Sequence, residues 1–317
     1  MSSHSFLFPT LAEASAYAER VDWESLWFSL VVLIFTLPVV ALLFYFCIKY
    51  RRGSTADRQN PPSGNDRLET AWMIIPFLPM VGFFAWGAWD YMHLRQPPPD
   101  SLEIYVVAKQ WMWKFQHPGG QREINDLHVP VATPVKLTMT SQDVIHSLFL
   151  PTLRIKQDVL PGRYTSLWFT ANETGRFPLR CTQFCGTNHA VMGGHIIILS
   201  QTDYTQWLKT SKADRTLAAE GEALFRTLGC SGCHDPGGTV HAPPLADLYG
   251  SPVPLSDGRV IIADDAYIRD SILFPERDIA AGYPPVMPSF RNLVGEDDLV
   301  RLVAYIKFRH QPSGVHP

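Results

Sequence analysis

Residues 181–192 read Cys181-Thr-Gln-Phe-Cys185-Gly-Thr-Asn-His189-Ala-Val-Met192, and a second histidine, His146, stands upstream in SQDVIHSLFLP. Two thiols, two imidazoles and a thioether form a soft donor set suited to copper. A mononuclear blue-copper site uses one cysteine, so a second cysteine four residues earlier on the same loop points to two sulfurs bridging two metals. The same spacing also admits a zinc ion with His146 as fourth ligand, or, in an oxidising compartment, a Cys181–Cys185 disulfide. Neither alternative uses Met192. Around this loop the chain alternates short β-type runs, EIYVVA, WMWKF, VKLTMT, TSLWFT and HIIIL, with Pro, Gly and Asn turns. That is the pattern of an all-β sandwich or barrel.

Towards the N-terminus, residues 26–48 and 71–89 are uncharged runs long enough to cross a bilayer as helices. Pro38, Pro76 and Pro79 are tolerated in such helices, with kinks expected. The loop between the runs carries Lys49, Arg51, Arg52, Arg58 and Arg67, against Arg20 before them and Arg95 after. The positive-inside rule therefore places the loop in the cytoplasm and both termini outside. No cleavable signal with a basic start is evident, so the first helix is expected to act as its own export signal. Cys47, alone in the first run, reads as an inert buried thiol.

Towards the C-terminus, LFRTLGCSGCHD supplies Cys230-Ser-Gly-Cys233-His234, the c-type haem attachment motif, with two thiols for thioether bonds and His234 for the iron. The motif follows a helical stretch, RTLAAEGEALFRTLG. A second, GEDDLVRLVAYIKF, has Leu299, Leu302, Val303 and Ile306 at helical spacing. Two helices enclosing a haem, with Gly221 allowing close approach and Tyr305 at the crossing, make a class I cytochrome c. Met287, the only Met after the attachment motif, is the expected sixth ligand, and Met/His ligation raises the potential as a carrier requires.

The expected organisation is an N-terminal segment at 1–25, a transmembrane hairpin at 26–96 with helices 26–48 and 71–91, a β domain at 97–210 and an all-α cytochrome domain at 215–317. Net charge is -3, which favours neither nucleic acid nor a polyanionic substrate. By segment it is -2 over 1–100, +3 over 101–214 and -4 over 215–317. That contrast predicts favourable docking of a tethered haem domain on the β domain, with no tight interface required.

Four stretches, LEIYVVAKQWMWKFQHPGG, REINDLHVPVATPVKLTMTSQDVIHS, KQDVLPGRYTSLWF and the 181–192 loop, resemble the dinuclear copper (CuA) subunit II of cytochrome oxidases. The stretch from PLADLYG to PPVMPSF resembles the cytochrome domain of fused oxidases. The resemblance implies a cupredoxin-like copper domain in which Cys181 and Cys185 bridge and His146 and His189 bind one copper each. Met192 and the backbone carbonyl of Gln183 become weak axial ligands. In the family the two coppers share one electron across the thiolates, which keeps structural change on reduction small. The family often has Glu where Gln183 stands, with its carboxylate on magnesium, so the resemblance does not carry over the magnesium at the subunit I interface.

Trp111 resembles the aromatic through which the family admits electrons to copper, its alternative being a packed strand aromatic. Glu69 resembles a Glu at the mouth of a proton path, its alternative being a helix N-terminal charge favoured by the dipole. Pro243 resembles the proline whose carbonyl fixes the axial His234. The implied activity is that of a respiratory cytochrome c oxidase in a bacterial inner membrane, with both redox domains on the periplasmic face. Electrons pass from a donor to haem c, to CuA and to an oxygen-reducing, proton-pumping subunit I, with subunit III as a further partner. The donor is a soluble cytochrome c, another small redox protein or a docked respiratory complex. The alternatives are the electron-input subunit of a CuA-containing nitric oxide reductase and a stand-alone membrane-anchored electron-transfer protein.

Overall fold

The computed structural model describes residues 12–59, 64–211, 216–236 and 240–309. The chain divides into two compact units, one ending at Pro97 and the other beginning at Pro98. Expectations for residues 1–11 and for the 212–215 connection lie outside the described residues.

The first unit is a pair of helices, α1 (Ala16–Lys49) and α2 (Asp66–Leu94). Both run past the expected spans 26–48 and 71–91, and α1 takes in residues 16–25 of the expected N-terminal segment. The reason is that helix limits are set by caps, not by hydropathy. The Ser15 hydroxyl accepts from the Ala18 amide at 3.1 Å, and the Asn65 side chain accepts from Leu68 at 3.2 Å. Charged first-turn residues then continue each helix beyond its apolar run. Both helices remain helical through Pro38, Pro76 and Pro79. The Arg20 guanidinium donates to Asp90 at 2.8 Å, pinning the start of α1 to the end of α2. At the other end of α1, Arg58 caps the helix by donating to the carbonyls of Tyr50 and Arg51. Both helices are long and apolar enough to span a membrane, and their apolar windows are not buried by the chain itself.

The second unit holds the β domain and the cytochrome domain. The strands are β1 (Leu102–Lys109), β2 (Met112–Gln116), β3 (Arg122–Ile124), β4 (Asp126–Pro130), β5 (Pro134–Ser141), β6 (His146–Leu150), β7 (Ile155–Val159), β8 (Thr165–Thr170), β9 (Gly175–Cys181) and β10 (Gly193–Leu199). They form two five-stranded sheets, ordered β3-β2-β1-β5-β8 and β4-β10-β9-β6-β7. Facing side chains such as Ile104, Val106, Phe115 and Met139 from one sheet and Leu127, Leu148, Leu179 and Ile196 from the other are fully buried. This is the expected β-sandwich. A helix, α3 (Gln201–Thr210), closes the domain through Tyr204 and Trp207, which cover a buried His117–Glu123–His128 cluster.

The cytochrome domain comprises α4 (Leu217–Thr227), α5 (Ser231–His234), α6 (Asp265–Leu273) and α7 (Glu296–Phe308), with a ribbon of β11 (Pro252–Pro254) and β12 (Val260–Ile262). At the α4–α7 crossing Gly221 is obligatory, since a Cβ there would lie 1.9 Å from the Arg301 carbonyl oxygen. Phe225 and Tyr305 meet beside it, ring centroids 5.3 Å apart.

The cytochrome domain docks on the β domain through a tighter interface than a tether requires. β1 is buried on both faces, because Tyr105 and Val107 on its outer side pack against Leu217 of α4 and Val300 of α7. Around that apolar contact Lys307 pairs with Glu103, and Lys114 with Asp297 at 3.0 Å. Arg269 donates to the Gly162 carbonyl at 2.8 Å, and Arg122 pairs with Glu220. Net charge ignores where residues face, and here the acidic and basic partners are set opposite one another around a dry centre.

Candidate copper and haem sites

Three neighbouring strand ends build the first site. His146 opens β6, Cys181 closes β9, and Met192 immediately precedes β10. β9 pairs with both other strands, Leu148 facing Cys181 and Gly193 facing Arg180. The loop from Thr182 to Val191 is folded back by the Met192 carbonyl accepting from the Cys181 amide at 3.1 Å. All the sulfur and nitrogen donors converge as a result. The sulfurs of Cys181 and Cys185 lie 3.9 Å apart as free thiols. Cys181 Sγ is 4.0 Å from His146 Nδ1 and 3.3 Å from the Gln183 carbonyl oxygen. Cys185 Sγ is 3.5 Å from His189 Nδ1 and 3.6 Å from Met192 Sδ.

The electrostatics separate the two thiols. Burial pushes Cys181 up, but hydrogen bonds with His146, the backbone and Cys185 outweigh it and bring the thiol down to about 6. Burial and the adjacent Cys181 push Cys185 up to about 12. Without a cation the pocket therefore tolerates one thiolate; two thiolates require positive charge between them. His146 is fully buried, and its Nε2 donates to Asp143 Oδ1 at 2.9 Å. That bond leaves Nδ1 as the free lone pair facing the sulfurs, the arrangement a metal-binding imidazole needs. A buried thiol pair flanked by two imidazoles, with Met192 also turned in, fits two coppers and uses a donor that the zinc and disulfide alternatives leave idle.

Trp111 stands in the β1–β2 turn, not within a strand, and lies over the copper loop. A Cβ on Gly186, whose φ is +119°, would meet the indole at 3.2 Å. Glu69 is exposed in the first turn of α2. Gln183 is exposed and presents its carbonyl, not its amide, to Cys181. Asp143 was not singled out by the donor pattern, although its place three residues before His146 in DVIH is the signal that could have found it.

The second site lies in the cytochrome domain. Two cavities, of about 190 and 110 Å3, share Cys230, His234, Pro243, Met287 and Phe290 as walls. His234 Nδ1 donates to the Pro243 carbonyl at 2.9 Å, leaving Nε2 to face the cavity. The linings are mostly apolar, with Cys230 and Cys233 as free thiols on one side. These features suit a haem held between an imidazole and a thioether. The family model described as "Cytochrome C oxidase subunit II, periplasmic domain" matches residues 121–200, and that described as "Cytochrome c" matches residues 218–308.

The chain carries a cytochrome c oxidase subunit II periplasmic domain followed by a cytochrome c domain.

It is similar to the cytochrome c oxidase subunit 2 of Alkalihalophilus pseudofirmus, with 29% identity over 88% of this chain and 84% of the relative. It is also similar to the alternative cytochrome c oxidase subunit 2 of Bradyrhizobium diazoefficiens, at 27% identity over 56% of this chain and 76% of the relative. The crystal structure of the periplasmic domain of subunit II of cytochrome oxidase (CoxB) of Bradyrhizobium japonicum aligns at 30% identity. It covers 37% of this chain and 96% of that one, with a TM-score of 0.35. The two matched domains imply CuA copper in the first, haem in the second and an electron-transfer role.

Proposed function

We propose that this chain is the electron-input subunit of a respiratory cytochrome c oxidase. It takes single electrons from an external donor on its cytochrome domain and hands them, through its copper domain, to the oxygen-reducing, proton-pumping subunit I. When bound, haem c and the copper pair supply one-electron redox chemistry. Cys181 and Cys185 would bridge the coppers, with His146 and His189 one on each and Met192 and the Gln183 carbonyl as weak axial donors. Cys230 and Cys233 would form the thioether bonds, and His234 and Met287 the axial pair. Pro243 sets the tautomer of His234 as Asp143 sets that of His146.

The observation that carries this reading is the meeting of all the copper donors at three strand ends, in the same compact unit as the haem crevice. The helix pair anchors the chain in a bacterial inner membrane, its basic loop inside and both redox domains outside. Trp111 serves as the aromatic contact to the copper loop, and Glu69 lies at a proton path. Oxygen reduction requires subunit I, with subunit III in the same complex.

The test is purification of the intact membrane complex, metal analysis and rapid mixing with a reduced donor. Two coppers and one covalent haem per chain, a mixed-valence copper spectrum and haem reduction ahead of copper are expected. One copper with an ordinary blue-copper spectrum, or a haem that fills without copper following, overturns the proposal.

A further inference from the structure

The two arms that carry the copper donors, the β5–β6 connection with His146 and the 181–192 loop, are joined by a residue that belongs to neither. Gln110, in the two-residue turn between β1 and β2, donates its side-chain Nε2 to the Cys185 carbonyl at 2.8 Å. Its backbone N–H donates to Asp143 Oδ2 at 2.7 Å. The other oxygen of Asp143 accepts from His146 Nε2 and from the Val144 amide, at 2.9 and 2.7 Å. A continuous chain of hydrogen bonds therefore runs from the Cys185 backbone through Gln110 and Asp143 to the far side of the His146 ring. Position 186, with its φ of +119°, suits glycine. A Cβ on Gly186 would come within 3.0 Å of Gln110 Nε2 and 3.2 Å of the Trp111 ring.

We infer that Gln110 is a positioning residue of the copper site, whose amide locks the Cys185 arm to the His146 arm and so sets the sulfur-to-imidazole geometry. The inference rests on the copper reading above. The physical reason is that no β-sheet pairing fixes the loop around Cys185. Cys181 is held by β9, whereas Cys185 lies in the middle of a turn whose other internal bonds are local: the His189 amide to the Gly186 carbonyl, and the Met192 amide to the Asn188 and His189 carbonyls. The Gln110 amide is the bond that ties the Cys185 carbonyl to the opposite sheet. Outer hydrogen bonds of this kind tune a metal through the orientation of its ligands. The arrangement also seats Trp111 against the same loop, so the turn that aligns the site is the turn that carries the aromatic.

The experiment uses the full-length chain in its native complex, as wild type, Gln110→Ala and Gln110→Glu. The Glu side chain keeps the size of Gln but, ionised, cannot donate to a carbonyl. Both variants should keep two coppers per chain, yet show altered copper hyperfine structure and a shifted copper potential, with the haem c spectrum and potential unchanged. On the metal-free chain, hydrogen exchange at the His189 and Met192 amides should rise about five-fold, the equivalent of losing one net hydrogen bond of about 1 kcal/mol. A copper spectrum, potential and loop exchange equal to wild type in both variants overturn the inference. So does a Gln110→Glu protein that behaves as wild type while Gln110→Ala loses copper. If the wild-type protein itself binds no copper pair, the functional reading fails, whereas the exchange measurement still decides whether Gln110 holds the loop.

Discussion

Replacing Lys307 with Met should undock the haem domain without unfolding it. The Lys307 ammonium reaches Glu103, the Tyr105 hydroxyl at 3.3 Å and the two oxygens of Asp265 at 3.1 and 3.4 Å. It also lies 4.6 Å from the centroid of the Tyr249 ring. Its side chain is 19% exposed, as is that of Glu103. Removing one partner of a buried ion pair costs about 3–5 kcal/mol, because the other charge stays behind uncompensated. Here Glu103 keeps Lys136 at 2.8 Å and the Thr138 hydroxyl at 2.7 Å, and Asp265 keeps the Tyr249 hydroxyl at 3.1 Å. The cost therefore falls at the lower end, about 3 kcal/mol, or roughly a 150-fold weaker docking equilibrium. Hydrogen exchange over the start of α4 and the end of α7 should accelerate in the full-length protein. Electron transfer between the two domains should be insensitive to viscosity in the wild type and viscosity-dependent in the variant. Adding Glu103→Gln should cost less than the sum of the two single changes, since it removes the stranded charge. Unchanged exchange in Lys307→Met, or strict additivity in the double variant, would refute the claim that this cluster clamps the domains.

Cys185→Ser should abolish the copper pair, whereas Met192→Leu should retain copper with an altered potential, both read by metal analysis and redox titration. Gly221→Ala should prevent α4 from packing on α7, because the new Cβ would strike backbone at 1.9 Å; loss of the haem c fold, at more than about 3 kcal/mol, is expected in thermal melts. Acid should loosen the domain interface: burial pushes Glu103 up, but the Lys307 and Lys136 ammoniums hold it down at about 2, from an ordinary 4.5. A depressed carboxylate stabilises fully above its unfolded value and loses that contribution as pH falls from about 4.5 towards 2, so exchange at the interface should rise across that window and not between pH 6 and 8. Glu69→Gln should slow turnover while leaving haem and copper reduction unchanged; unaltered turnover returns Glu69 to the helix-dipole role.

The convergence of the candidate copper donors was legible because strand ends bring together residues that the sequence already clusters. Four of the side-chain donors lie within one loop, and the fifth, His146, opens a strand next to it in the sheet. The residues lining the candidate haem cavity were legible for a similar reason, since the attachment motif is local and Met287 had no competitor in the domain. Helix limits were not legible from hydropathy, because Ser15 and Asn65 start the helices well before the apolar residues begin. Strands β3, β4, β6, β7 and β9 were also missed as separate runs. They are short or interrupted by polar residues, and their identity comes from pairing partners far along the chain.

What the sequence could not name was the element that covers the second face of β1. A strand with a half-solvated sheet surface alternates, yet EIYVVA reads as a continuous apolar run, and such a run signals burial on both sides. The covering element is the cytochrome domain: Leu217 and Val300 complete an apolar cluster begun by Tyr105 and Val107. The same strand leads through Lys109 into the Gln110–Trp111 turn, which holds the copper loop. One strand thus carries the haem domain on its outer face and the alignment of the copper site at its end. Docking of the cytochrome domain and the seat of the candidate copper loop are therefore fixed by a single element, and a tether alone would supply neither.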